Sequence, residues 1–218
     1  MRNDNELQED IMAELQWEPS VKAAEIGVSA KDGVITLTGS VESYSEKLAA
    51  RDAASRVFGV KAVADEINVR LPDDDKWTDE DIARSAANAI ACNARVPKDC
   101  VKAVVQNGWV TLEGEVNWQY ERYAAEGAVH DLRGVRGISN EIVVKPLVQE
   151  LDVTSKIKSA FERNARLDAG EIKVDARGNT VILKGIVHSF VEREEAERAA
   201  WSTPGVSDVE NNLKVKFD

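Results

Sequence analysis

One ionisable residue recurs in register along this chain: Glu46, Glu121 and Glu192, with offsets of 75 and 71 residues. Three matched carboxylates would suit a metal ion or a general acid. Their surroundings favour another use. Ser43-Tyr44-Ser45-Glu46 and Ser189-Phe190-Val191-Glu192 have the spacing of a capping box, in which serine and glutamate satisfy each other's amides at a helix N-terminus. In the middle copy Trp118 stands at the serine position, and Asn117 just before it is the substitute cap. These glutamates are therefore read as structural.

The remaining reactive side chains do not assemble into a catalytic pattern. His130 and His188 sit at unmatched positions, with no Cys or carboxylate at metal-ligand spacing, so no metal site is expected. Cys92 and Cys100 are separated by seven residues, and their counterparts are Trp17 and Glu25 or Arg163 and Glu171. They are expected to be free thiols. No nucleophile–base arrangement, phosphate loop or dinucleotide motif occurs, so the chain is expected to be neither an enzyme nor a cofactor binder.

Aromatics are distributed unevenly. Trp109, Trp118, Tyr120 and Tyr123 cluster in the middle of the chain, where the matching positions hold Val34 and Thr180, Ser43 and Ser189, Ser45 and Val191, and Leu48 and Glu194. Arg122, Arg133 and Arg136 lie around them. Exposed aromatics with basic neighbours suit a contact surface, and Trp and Tyr suit a membrane interface. The competing reading is that they cover joints between repeats, because a middle repeat has two neighbours. Ile182 and Ile186 share an outer sheet face in the last repeat, which favours packing between modules or self-association into a homo-oligomer.

These residues are positioned by a tandem triplication. Residues 7–69, 82–144 and 153–215 align without a gap, and nine columns are identical. Beyond the glutamates, they include Gly39, Gly114 and Gly185, and, 20 residues on, Gly59, Gly134 and Gly205. Each copy reads as helix, strand, strand, helix, strand. Leu7, Ile11 and Leu15, with their equivalents, space a buried helical stripe. Asp32-Gly33, Asn107-Gly108 and Gly178-Asn179 are hairpin turns that need positive φ. Alternation then turns Ile35 and Leu37, Val110 and Leu112, and Val181 and Leu183 inward, and Trp109 and Val143 outward.

The fold class expected is α+β: three αββαβ modules, each a three-stranded mixed sheet with two helices on one face. The boundaries expected are 1–72, 76–147 and 150–218. The joints, Pro72 to Trp77 and Lys145 to Glu150, are short and contain proline, which favours a compact or pseudo-symmetric arrangement over loosely strung beads.

The element order, the Asp-Gly turn, Leu37-Thr38-Gly39-Ser40-Val41, the Gly59-Val60 pair and the closing Asp65-Glu66-Ile67-Asn68-Val69 resemble the BON domain, the family of bacterial osmotically inducible and nodulation proteins. The resemblance covers three copies and implies non-catalytic roles. These are binding of phospholipid surfaces, protection of the envelope under osmotic stress, chaperoning of envelope clients and, beside another module, potassium sensing. Its members are mostly periplasmic.

Composition narrows the field further. The net charge is −11 and the pI about 4.8, and the three thirds 1–72, 73–147 and 148–218 carry −5, −4 and −2. Such acidity argues against a nucleic-acid partner. Apolar runs are too short to span a membrane, and Met1-Arg2-Asn3-Asp4-Asn5-Glu6 is not an export signal, so a cytoplasmic protein is expected. Two functions follow. One is a module that engages a phospholipid surface or apolar ligand through Trp109, Trp118, Tyr120, Tyr123 and Arg122. The other is a chaperone-like or protein–protein interaction module without lipid binding.

Overall fold

The computed structural model describes residues 3–72, 77–145, 153–164 and 171–216. Its helices begin where side chains satisfy free amides. Asn3 and Glu6 form a capping box for α1 (Asp4–Trp17), and Thr78 and Asp81 form one for α3 (Asp79–Cys92). Leu7, Ile11 and Leu15 make the buried stripe of α1, Ile82, Ala86 and Ile90 that of α3, and Val153, Ile157 and Phe161 that of α5 (Val153–Glu162).

In the first module β1 (Ile26–Lys31) pairs antiparallel with β2 (Val34–Val41), which pairs parallel with β3 (Ala62–Val69). A parallel neighbour requires a crossover, and α2 (Tyr44–Arg56) supplies it. The third module repeats the plan with β8 (Ile172–Arg177), β9 (Thr180–Val187), α6 (Phe190–Trp201) and β10 (Asp208–Val215). In both, the two helices touch each other and the sheet, so they share one face. Ile35, Leu37, Val181 and Leu183 are fully buried beneath them. Ala50, Ala53, Ala196 and Ala200 are also fully buried, and their small side chains let α2 and α6 lie close to the strands.

The middle module contains β4 (Val101–Gln106), β5 (Trp109–Val116) and α4 (Gln119–Val129), with Val110 and Leu112 buried. Its last strand departs from the sequence expectation of one continuous strand. It is split into β6 (Gly137–Asn140) and β7 (Val143–Val144), both parallel to β5. The register is nevertheless kept: Leu112 opposes Asn140 and Glu115 opposes Val143. Ladder pairing lapses only opposite Glu113 and Gly114, and Gly114 has φ +144°.

The chain divides into two compact units. One comprises Met1–Glu113 and Ala124–Glu141, the other Gly114–Tyr123 and Ile142–Asp218. The middle module thus contributes to both. Within the first unit, the Tyr44 hydroxyl lies close to the Ile138 backbone. Most of both joints, residues 73–76 and 146–150, lies outside the described residues.

The recurrent glycines have steric causes. Gly39 has φ +117°, and a Cβ there would stand 2.1 Å from the Glu25 carbonyl oxygen; at Gly185, φ +138°, it would stand 2.0 Å from that of Glu171. No side chain fits either position. Gly59, Gly134 and Gly205 also have positive φ, and a Cβ on Gly134 would meet Ile82 and Trp77 at 2.8 Å.

Candidate functional site

The three matched glutamates are nearly buried, with 7%, 7% and 8% exposure for Glu46, Glu121 and Glu192. Their bonding corrects the reciprocal capping box. Ser43 and Ser189 do cap their helices, accepting from the Glu46 and Glu192 amides at 3.1 Å each. The glutamates reach one residue further back, to the Glu42 amide at 3.1 Å and the His188 amide at 2.7 Å. The physical reason is room: a buried carboxylate has two oxygens to satisfy, and amides leaving the preceding strand lie within its reach.

Each carboxylate therefore works as a clamp between strand, turn and helix. Glu46 also accepts from Lys22 at 2.8 Å. Glu121 accepts from Asn117 at 2.9 Å and Trp118 at 3.1 Å, so Asn117 offers a backbone amide to the carboxylate. The middle counterpart of Lys22 is Pro97, which has no amide hydrogen. There the second Glu121 oxygen receives the Tyr120 hydroxyl, at 3.4 Å.

His130 Nδ1 lies 2.9 Å from the Gly127 carbonyl, and His188 Nδ1 lies 3.5 Å from Glu192. Among the described residues, no group of three or more His, Cys, Asp or Glu could hold a metal ion. Cys92 and Cys100 are free thiols, the first exposed and the second half-buried.

Trp109 lies on the outer face of its sheet and is 49% exposed. Its indole is held in place: Nε1 donates to Ser139 Oγ at 2.9 Å, and the ring lies over Gly137, where a Cβ would be 2.3 Å from it. Tyr120 and Tyr123 are 47% and 50% exposed. Trp118 is half-buried and stacks on Tyr120, with centroids 6.4 Å apart. These three residues belong to the second compact unit and Trp109 to the first. Among the outer-face isoleucines, Ile182 is 4% exposed and Ile186 38%.

Arg122 occupies the register position of Lys47 and Arg193. Those two tie the second helix to the last strand: Lys47 Nζ donates to the Ile67 carbonyl at 2.7 Å and pairs with Asp65 at 3.3 Å, and Arg193 donates to the Asn211 carbonyl at 3.2 Å.

Some contributors were not found from sequence. Asp4 accepts from the Asp32 and Gly33 amides at 3.0 and 3.3 Å, and Asp79 from Asn107 and Gly108, both at 2.8 Å. An acid recurring 28 residues ahead of the hairpin turn was the available signal. Trp17, at the end of α1, is 83% exposed, and Phe58, after α2, is 50% exposed.

Electrostatic perturbations are local. Burial, with Glu126 adding to it, holds the Tyr44 hydroxyl above the usual tyrosine pKa. The Thr78 hydroxyl and amide hold Asp81 below the usual carboxylate range.

With this geometry described, comparison with known proteins is informative. A family model, the BON domain, matches residues 3–70, 78–146 and 149–216. The chain is 29% identical to osmotically-inducible protein Y of Escherichia coli (strain K12) over 152 residues, covering 66% of this chain and 73% of that protein. It is 27% identical to outer membrane lipoprotein DolP of Haemophilus influenzae over 144 residues, covering 63% and 72%. Among solved structures, CdsD, a structural protein of the type III secretion system of Chlamydia trachomatis, is 14% identical, with a TM-score of 0.28 over 98% of this chain and 93% of that one. The expectation of a cytoplasmic protein is corrected by these relatives: one is an outer membrane lipoprotein. The first residues of this chain do not decide its compartment.

Proposed function

The chain belongs to the BON domain family, and from that premise we propose a non-catalytic, stress-associated binding protein of the cell envelope. It engages a phospholipid surface or an apolar ligand through its middle module. Relatives named for osmotic induction and for the outer membrane support the setting. No helix among the described residues is long and apolar enough to cross a membrane.

One observation carries the reading: Trp109 is half exposed yet fixed by Ser139 and Gly137. A side chain left in water without a role would gain little from such restraint. A pre-oriented indole loses less conformational entropy when it contacts a ligand or a bilayer interface.

The test is flotation with zwitterionic and with anionic liposomes, at low and physiological salt, using wild type, Trp109→Ala and Trp118→Ala. Co-flotation of wild type that falls in Trp109→Ala supports the reading. Protein that stays at the bottom under every condition removes the lipid surface from it.

A second reading has an observation of its own. Trp118, Tyr120 and Tyr123 fall in the same compact unit as the third module, and Ile182 is buried on what sequence alternation makes an outer face. This supports packing between modules for the half-buried Trp118 and the buried Ile182, and a chaperone-like or protein–protein interaction role without lipid. Suppression of client aggregation by protein that does not float would favour it.

A further inference from the structure

The outer strand of the middle sheet is built unlike its two counterparts. In the order β4-β5-β6, β4 has a neighbouring strand on one side only among the described residues. Asn107 and Gly108 form a two-residue turn, both with positive φ, so Gln106 and Trp109 are its closing pair. Along an antiparallel strand the bonding direction alternates from residue to residue. Gln106, Val104 and Lys102 therefore bond to β5, while Val105, Ala103 and Val101 turn their amides and carbonyls to the open side.

In the first module the same open side is blocked. Gln8 of α1 donates its side-chain amide at 2.8 Å to the carbonyl of Val28, the counterpart of Ala103. Met12 and Gln16 continue the row of Gln8 along the helix. In register, the third module has Thr154, Lys158 and Glu162, and the outward residues of β8 are Lys173, Asp175 and Arg177. Charged side chains of this kind keep a strand edge from pairing. The middle module has neither device. Its row is Ala83, Ala87 and Ala91, too short to reach a strand carbonyl, and the outward face of β4 offers Val104, 51% exposed, between Lys102 and Gln106.

We propose that β4 pairs antiparallel with β4 of a second copy of this chain, about a two-fold axis at Ala103. This register sets Ala103 against Ala103 and Val101 against Val105, so the open amides and carbonyls of all three residues find partners. On the outer face it sets Lys102 against Val104, which covers the exposed valine with a lysine stem and places no like charges opposite each other. The alanine rows of the two α3 helices meet beside the joined strands, where small side chains permit close helix spacing, about 8 Å. The axis runs these helices antiparallel, so the acidic first turn of one, with Asp79, Glu80 and Asp81, lies toward the Lys98 end of the other. That charge complementarity, with the match of the strand to itself, favours a second copy as the occupant. The contact is independent of the ligand read for Trp109, whose ring leans over Gly137 on the far side of β5.

The experiment is sedimentation velocity of the full-length protein over a concentration series, at low and physiological salt. It compares wild type with Val104→Lys, which sets like charges opposite each other, and with Ala83→Gln/Ala87→Met, which restores the row of the first module. A wild-type monomer–dimer equilibrium is expected, with the dissociation constant raised about tenfold or more in both variants. Hydrogen exchange on wild type should slow at the Val101, Ala103 and Val105 amides as the dimer forms, and circular dichroism checks that each variant is folded. Wild type that stays monomeric throughout the series overturns the proposal. So does a dimer that either folded variant leaves unchanged, or one whose β4 amides exchange at the monomer's rate, which would place self-association on another surface.

Discussion

The Glu46 carboxylate accepts the Lys22 backbone amide at 2.8 Å across 24 residues of chain. It also accepts the Glu42 amide at 3.1 Å, so one nearly buried side chain fastens α2 to the loop before β1 and to the end of β2. In this architecture a repeated glutamate is a fastening, and the chemistry its threefold recurrence would suggest is not what its oxygens do.

Removing that carboxylate leaves two part-buried amides without their acceptor. Glu46→Ala is expected to destabilise the protein by about 2–4 kcal/mol, since a charged hydrogen bond contributes about 1.5–3 kcal/mol and unpaired buried donors add to the loss. Urea denaturation followed by circular dichroism measures it. An effect below about 0.5 kcal/mol, the size of a neutral surface substitution, would show that the clamp is not needed.

At Gly39 the backbone itself forbids a side chain. A Cβ there would sit 2.1 Å from the Glu25 carbonyl oxygen, at φ +117°. Gly39→Ala should cost roughly 3 kcal/mol or more, through strain and displacement of β1. Gly127, at an exposed position of α4 with nothing within 4 Å of its Cβ position, is the control. Gly127→Ala should be neutral or stabilising by up to about 1 kcal/mol. Equal melting temperatures for the two variants would refute the steric argument.

Tyr44 makes stability pH-dependent on the alkaline side. Burial raises its pKa in the folded protein, so the native state holds this proton more tightly than the unfolded chain does. The contribution is fully present below the ordinary tyrosine pKa of 10.0 and is lost as pH rises through the higher folded value. Melting curves between pH 8 and about 11.5 should show a decline that is shallower in Tyr44→Phe. Identical slopes for the two proteins would remove Tyr44 as its source.

Trp109 offers a spectroscopic check. Ser139→Ala removes the acceptor of the indole N–H while leaving the fold's core intact. Because the bond is at the surface, its loss should cost about 1 kcal/mol or less. Acrylamide quenching and fluorescence anisotropy should report a more mobile, more accessible tryptophan, compared in a background where the other four tryptophans are replaced by phenylalanine. Unchanged anisotropy would mean that Gly137 packing alone orients the ring.

Much of the fold was legible because it rests on local rules. The periods of Leu7, Ile11 and Leu15 and of Ile35 and Leu37 reflect helix and strand geometry, and Asp32-Gly33 announces a turn whose two residues do have positive φ. Threefold recurrence then fixed the module plan and its register. Other features depend on atoms far apart in sequence. Only the folded chain decided that Glu46 binds Lys22, that Asp4 and Asp79 hold the hairpin turns, and that Trp109 rests on Gly137. Sequence set the elements and their order through short-range geometry. Which side chains face one another, and which amides and charges find partners, was settled when distant segments packed against each other.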